Sequence, residues 1–479
     1  MNFLITLFSF FISFVATATG TTTFAYDQMG LEIQRLLPGQ VQQTTTRDAL
    51  GRPTEQLTGH ASKRQRSRKY NWTTSNRLTQ IIDSATGTTH FDYNKEGYLT
   101  QAKYADGTTT NRYPDAKGNL YEDANLKDRE YAHGGKLVKK GSWHYKYNHQ
   151  GFLTEKYKKT GSLFSFKEDH WKYFWNTAGL LESVQRPDGA VVSFGYDALG
   201  RRIFKHYKQT FTNFVWDGNV PLHEFKTFTT KDALSNDVIT WLFEEDSFSP
   251  IAKLRGEKKY SILADHLGTP IEAYADDGNL VWERSLNANG KVLKETGIQN
   301  FCPFLYQGQS LDNEIELAYN RFRYYDPEDG RYISVDPIGL MGGMTFYGYV
   351  HDTNGWLDLF GLSKKKGTYT GNGKDLENDI ENALIANGIP YKKNQKFGPN
   401  GSIGEIDFET DNAIIESTIS NGGKKDQVNK LVNNKLMNPT GKPVIVHGPN
   451  YTNKLAIKDV EKEGGLVSNS MDDLISVIK

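Results

Sequence analysis

A chain of 479 residues is longer than one ordinary hydrophobic core organises, so two or more folding units are expected. Acidic and basic side chains balance at 57 each, which excludes non-specific attraction of the whole chain to nucleic acid or anionic lipid; any such binding is local. The single cysteine, Cys302, excludes a disulfide framework and a thiolate metal cluster.

Residues 3–18, "FLITLFSFFISFVATA", form an apolar run that is short for a membrane span. It ends in Ala16, Thr17 and Ala18, small residues like those before a secretory cleavage site, so residues 1–19 read as a signal-like segment. No basic residue precedes the run, the first being Arg35, and the alternative is a start inside a longer reading frame. Stable membrane insertion beyond this segment is not expected.

From residue 20 onward one pattern returns: an aromatic or small residue, then Asp or Asn, then Gly three residues later. It occurs as "YDQMG" at 26, "YNKEG" at 93, "YNHQG" at 147, "WNTAG" at 175, "YDALG" at 196 and "ADHLG" at 264. Asp or Asn starts an Asx turn and Gly supplies a positive φ, while alternating flanks such as "HFDYNKEGYLTQAKY" line half-buried strands. Neighbouring turn glycines such as Gly97 and Gly118, or Gly179 and Gly200, stand 21 residues apart. A period of that size predicts stacked hairpins whose faces are buried only by their neighbours. The basic stretch "KRQRSRK" at 63–69 reads as a repeat loop, with a basic arm for nucleic acid as the alternative.

Composition changes near residue 362. All eight tryptophans precede it and no arginine follows it, and "GLSKKKGTYTGNGK" at 361–374 has the Gly, Ser and Lys content of a linker.

On these motifs residues 20–362 resemble the YD-repeat region and core of Rhs proteins, a family of polymorphic toxins. The repeats would cover 20–302 and the Rhs-associated core 303–362, where "NRFRYYDP", "SVDPIGL" and "WLDLFGL" carry the likeness. The resemblance implies an all-β shell enclosing a variable C-terminal toxin, and a core that cuts the chain after its terminal Gly-Leu, here after Leu362. By motif position Arg323, Asp336 and Asp358 would act in that autoproteolysis. Two carboxylates beside a guanidinium can activate water when one is ionised and the other protonated. Leu359 stands where the family has Pro. The repeat region is shorter than such shells usually are, as a fragment of one would be.

The last segment, residues 363–479, holds 16 Lys, 15 Asp plus Glu, one His (His447), no Arg and no Cys. That inventory excludes a Cys-ligated zinc deaminase, a Cys nucleophile and paired-His ribonuclease chemistry. It leaves carboxylate, Lys, Gln and hydroxyl chemistry, for which a hard cation is the commonest use. Leu376, Ile380, Ala383 and Leu384 fall on one helical stripe ended by Gly388. Next the pattern predicts a strand at 390–397, a hairpin at 403–419, a helix near 424–436, a strand at 442–448, a helix at 453–462, then a strand and a helix from 465. The order αβββαβ predicts a small α/β domain with a mixed sheet.

If Asp411 and Asn412 form the tight turn of the hairpin, 410 pairs with 413, 409 with 414, 408 with 415 and 407 with 416. Like charges at Asp407 and Glu416 would then repel across the strands, unless a cation lies between them. The spacing resembles the PD-(D/E)XK, restriction-endonuclease-like nucleases. That likeness implies Asp407, Glu416 and the helix acid Glu377 as ligands of Mg²⁺ or another divalent cation. Thr418 stands where the motif has Lys, and Lys424 or Gln427 would supply the missing group. Glu381, one turn on, is as eligible as Glu377, and the bland alternative makes Asp407 and Glu416 an exposed acidic stripe with Glu405 and Glu409. His447 reads as structural.

The function expected from these resemblances is an exported effector of interbacterial competition whose tip is a DNase acting in the cytoplasm of a target bacterial cell, blocked by a cognate immunity protein. RNA is the alternative substrate. A non-enzymatic surface or interaction repeat protein is the alternative from another class.

Overall fold

The computed structural model describes residues 11–17, 20–27, 31–60, 65–160, 166–228, 237–245, 247–339, 345–362, 365–366, 380–381, 384, 389–397, 404–418, 424–448, 454–468 and 471–478. The chain divides into two compact units, residues 1–48 with 52–369, and residues 370–479 with 49–51.

The larger unit is antiparallel throughout, and each strand pairs with its neighbours in sequence. Phe11 to Asn111 builds one ten-stranded sheet, Arg129 to Gly297 one of sixteen strands, and a short two-stranded ladder lies between them in the chain. Phe11–Thr17, inside the segment read as signal-like, is the outermost strand of the first sheet and pairs with Gly20–Tyr26. Among the described residues no helix is long and apolar enough to cross a membrane, which says nothing of strands.

The turns explain why these repeats fold as hairpins. In "YNKEG" the Asn94 N–H bonds the Tyr98 carbonyl at 3.0 Å, and the Asn94 side chain accepts the Tyr98 N–H at 2.8 Å. Gly97 closes the turn at φ 90°, a conformation that costs other residues strain. Asn148 with Phe152, Asn176 with Leu180, Asp197 with Arg201 and Asp265 with Thr269 repeat this pairing. In several repeats a register shift falls on the aromatic residue just before the turn, at Tyr93, Tyr147, Trp175 and Tyr196. Three of these rings then send their polar end back to an earlier strand. Tyr93 donates to the Leu78 carbonyl at 2.9 Å, Tyr196 to Leu181 at 2.7 Å and Trp175 to Leu153 at 2.7 Å. A half-buried aromatic thus fills the seam between hairpins and satisfies a backbone acceptor in the same step.

The basic stretch at 63–69 is not a loop over its described residues. Gln65–Trp72 is a strand whose alternate residues Arg66 and Arg68 point inward and are buried. Arg66 pairs with Asp83 at 2.7 Å and with Glu272, and Arg68 pairs with Asp83 at 2.6 Å, so the ten-stranded and sixteen-stranded sheets are joined by a buried ionic cluster. The charges of Arg66 and Arg68 are therefore committed inside the fold.

Four short strands, Ser310–Asp312, Leu317–Asn320, Arg323–Asp326 and Arg331–Tyr332, form a separate small sheet. Its Leu317, Tyr319 and Tyr324 pack with Leu153, Tyr173, Leu181, Val184 and Phe194 of the sixteen-stranded sheet. Arg202 of that sheet is buried against Asp312. The segment read as a core is thus seated on the repeats by apolar packing and by paired charge.

The smaller unit is a five-stranded mixed sheet. In chain order its elements are β1 (Tyr391–Phe397), β2 (Gly404–Thr410), β3 (Ile414–Ser417), α1 (Lys425–Asn433), β4 (Val444–His447), α2 (Lys454–Lys462), β5 (Leu466–Ser468) and α3 (Met471–Ile478). The first three strands are antiparallel, and β4 and β5 join parallel to β3. One face buries Phe408, Ile415 and Ile445 against Leu474 and Ile478 of α3, with helical Ile380 and Leu384. The other buries Ile414, Val444 and Val446 under Val428 and Leu431 of α1 and Val460 of α2.

Candidate functional site

Two clusters in the two units carry chemistry. In the larger unit, the strand ladder pairs Asn320 with Arg323 and Tyr325 with Tyr332, which brings the Arg323 guanidinium over the Tyr332 ring at 3.7 Å. Arg323 Nη2 lies 2.9 Å from Asp336 Oδ2 and 3.1 Å from Asp358 Oδ2, so the structure brings together the three residues named from the sequence. Tyr332 donates to Asp358 Oδ2 at 2.9 Å, and the other oxygen, Oδ1, accepts the Leu362 N–H at 2.9 Å. Arg323 Nε donates to the Gly361 carbonyl. Arg323 is 1% exposed and Asp358 0%, so both charges are out of water and held by each other. Burial, then the Asp358 carboxylate, hold the Tyr332 phenol well above its ordinary range, so it is a donor here.

Gly361 has φ 68°, and a Cβ there would fall 2.7 Å from the Asn320 carbonyl oxygen. Only glycine brings the chain this close to the buried charges. Both acids are paired to the one guanidinium, and the backbone at Gly361 and Leu362 is hydrogen-bonded to Arg323 and Asp358, so the chain is held directly against the three side chains. Tyr332 and Asn320, which donates to the Asp358 carbonyl at 2.9 Å, were not named from the sequence. Their role follows from antiparallel pairing in the small sheet, which no linear motif displays.

In the smaller unit, Thr410 N–H bonds the Ala413 carbonyl at 2.9 Å across the turn at Asp411 and Asn412, and the ladder pairs Glu409 with Ile414 and Phe408 with Ile415. There it ends. The expected direct opposition of Asp407 and Glu416 is not a rung of the ladder. Instead Asp407 Oδ2 accepts both the backbone N–H and the hydroxyl of Ser417, at 2.7 and 2.8 Å. On the other side of β2, in β1, Asn394, between the partners of Phe408 and Ile406, has φ 51°, and Asp407 has no rung there either. Alternation breaks with it: Ile406 and Phe408, two residues apart, join the apolar clusters of opposite faces.

Glu416 is fully buried, and its carboxyl is pushed up to about 8 by burial and by the Asp407 charge, against the pull of Lys424. Gln427 of α1 donates to Glu416 Oε2, and Lys424 Nζ lies 3.9 Å from that oxygen and 2.9 Å from Gln427 Oε1. Oε1 of Glu416 has no hydrogen-bond partner among the described residues. Thr418 is buried and gives its N–H to the His447 carbonyl at 2.9 Å.

The remaining acids and the histidine sort differently. Glu377 lies outside the described residues. Glu381 is not free as a site acid, being held by Tyr391 at 2.6 Å and Lys393 at 2.8 Å. Glu409 is tied to Lys442 and Gln395, both at 2.7 Å. His447 is buried against Ser468 at 3.2 Å. Among the described residues no group of three or more His, Cys, Asp or Glu converges as a metal site. The acidic pair still fits a hard cation: the Asp407 charge acts on Glu416 from the neighbouring strand, Glu416 Oε1 is buried without a partner among the described residues, and Mg²⁺ takes one or two carboxylates and completes its shell with water and phosphate oxygens.

Two large antiparallel sheets of strands paired in sequence order, with a small aromatic-rich sheet seated on one of them, define the class of the larger unit. A family model described as Teneurin YD-shell matches residues 65–341, more than half of the chain, and the chain belongs to that family. Among curated proteins it is 28% identical over 379 residues to "Double-stranded DNA deaminase toxin A" of Burkholderia cenocepacia, across 71% of this chain and 26% of the relative. It is 28% identical over 385 residues to "Probable deoxyribonuclease RhsA" of Dickeya dadantii, across 73% of this chain and 26% of the relative. "Toxin protein Tse5" of Pseudomonas aeruginosa is 32% identical over 193 residues, across 32% of this chain and 14% of the relative. The chain therefore spans about a quarter of the length of the first two of these relatives. A structure of the Photorhabdus luminescens Tc holotoxin pore shares the fold over 72% of this chain and 20% of its own, with TM-score 0.51 at 15% identity.

Proposed function

We propose that this chain is part of an Rhs-type polymorphic toxin of interbacterial competition, whose C-terminal domain, residues 363–479, hydrolyses phosphodiester bonds in DNA with a divalent cation. The toxin reading is supported by the names of the relatives matched across 71–73% of the chain. Those names include a deaminase and a deoxyribonuclease, so the shared region does not fix the chemistry, which has to be read from the C-terminal residues. There, a chain segment without cysteine has no thiolates for a Cys-ligated deaminase zinc.

The observation that carries the nuclease reading is the pair Asp407 and Glu416 on neighbouring strands, where burial and then the Asp407 charge disfavour the ionised form of Glu416, a cost a bound cation would offset. The mixed sheet with its acids on β2 and β3 accords with a restriction-endonuclease-like fold. Asp407 and Glu416 would hold Mg²⁺ or a similar ion, which supplies activation of water and neutralisation of phosphate charge. Lys424 adds positive charge beside Glu416, where the motif lysine is replaced by Thr418. Glu377 remains the proposed third acid. In the larger unit Arg323, Asp336 and Asp358 would cut the chain after Leu362 and release the domain. Export, action in the cytoplasm of a target cell and a blocking immunity protein complete the proposal.

The test is plasmid nicking by the purified chain with Mg²⁺, with EDTA and with each of Asp407→Ala and Glu416→Ala. Metal-dependent nicking lost in both variants supports the reading. Unimpaired nicking in both, or degradation of RNA in place of plasmid, overturns it.

A further inference from the structure

Each acid of the pair has one oxygen tied by protein donors, and the other free of them. Asp407 Oδ2 receives both donors of Ser417, and no described residue donates to Oδ1. Glu416 Oε2 receives Gln427, whose own Oε1 is held by Lys424, and Oε1 is buried without a partner. The division is not forced by strand pairing, because the ladder stops at Phe408 and Ile415. Ser417 is therefore spending its N–H and its hydroxyl on a side chain, at the point where a regular ladder would have spent the N–H on backbone.

We propose that Ser417 is a positioning residue that locks the Asp407 carboxylate and presents Oδ1, together with Oε1 of Glu416, to a divalent cation. This role rests on the metal reading of the acidic pair. Two short hydrogen bonds to one oxygen fix both rotation and tilt of a carboxylate that would otherwise swing at its Cβ, and donors behind a metal ligand change affinity about 10–100-fold in other sites. The hydroxyl is the part a substitution removes; the N–H stays. A threonine keeps the hydroxyl and suits a strand.

The experiment is Mn²⁺ titration of the full chain by calorimetry, with metal-free melting of every variant as the control. Asp407→Ala and Glu416→Ala are expected to abolish the tight Mn²⁺ event. Ser417→Ala should weaken it about tenfold, Ser417→Thr should restore it, and neither should move the metal-free melting point by more than a few degrees. Wild-type Mn²⁺ affinity in Ser417→Ala, with the event lost in Asp407→Ala, overturns the role of Ser417 alone. Wild-type affinity in Asp407→Ala and Glu416→Ala overturns the metal reading itself. Should Ser417→Ala fail to fold, Ser417→Thr carries the test, and a tenfold loss there overturns the proposal.

Discussion

The Tyr332 hydroxyl donates a hydrogen bond to Asp358 at 2.9 Å, and the same carboxylate accepts the backbone N–H of Leu362 through its other oxygen. The end of the core segment is thereby wound around one buried acid. If self-cleavage follows Leu362, Asp358→Asn and Asp336→Asn should abolish release of the fragment that starts at Ser363. Tyr332→Phe removes one hydrogen bond to a charged group, worth about 1.5–3 kcal/mol, and should slow release about tenfold or more without abolishing it. Gel analysis of purified chain over time reads both.

Metal affinity should depend on pH through Glu416. Its carboxyl, pushed up to about 8 by burial and by Asp407, is protonated at neutral pH in the metal-free protein, whereas a cation requires the ionised form. Mn²⁺ affinity should therefore rise by up to about tenfold per pH unit from pH 6 to 8 and level off above. Calorimetry at four pH values checks this, and Glu416→Gln should remove the tight binding along with its slope.

His447 makes the smaller unit sensitive to acid. Burial lowers its imidazole from 6.5 to about 4, so below pH 6.5 the unfolded chain binds a proton that the folded chain refuses. Stability from this residue is complete above 6.5 and falls by up to about 1.4 kcal/mol per unit as pH drops toward 4. Protection of the β4 amides, taken relative to their intrinsic exchange rates at each pH, should fall over that window, and His447→Gln should flatten the dependence.

The buried ionic cluster of the repeats gives a stability prediction. Asp83 holds both Arg66 and Arg68, and these arginines overcome the effect of burial and keep its carboxyl low, at about 2. Asp83→Ala leaves two buried guanidinium groups short of charge, so a loss of roughly 3–5 kcal/mol is expected. Limited proteolysis should find new cuts in the ten-stranded sheet. Lys69→Ala, whose side chain is 59% exposed and 3.8 Å from Glu55, should change little.

Trp175→Phe keeps the ring near Leu153 and removes only the indole donor to its carbonyl. An unpaired acceptor at that seam should cost about 1–3 kcal/mol, read as a lower thermal midpoint.

The local parts of this fold could be read from residues alone. Asn94 and Gly97 announce a turn, and the pair Asp411 and Asn412 sets Phe408 against Ile415, because both depend on bonds between near neighbours. Arg323, Asp336 and Asp358 came from motif resemblance, and the structure brings them within hydrogen-bond distance. What a linear reading missed depends on distant partners. Arg66 and Arg68 looked like free charge until Glu272, about two hundred residues away, met them. Glu381 looked eligible as a ligand until Lys393 claimed it. The bond of Asp407 to Ser417 sits beside an irregularity at Asn394 on the adjacent strand, where nothing in "YKKNQKF" marks a left-handed residue except the tolerance of Asn for it.

Because each strand of the two large sheets bonds only to the strands before and after it in the chain, their growth is serial. Gaining or losing one hairpin leaves the backbone ladders of the other strands in register, at the cost of its own seams and of any cross-sheet contact it carries, such as that of Arg66 with Glu272. Relatives of very different overall length can therefore share this architecture, and gene-level duplication of about twenty residues is a step the geometry tolerates.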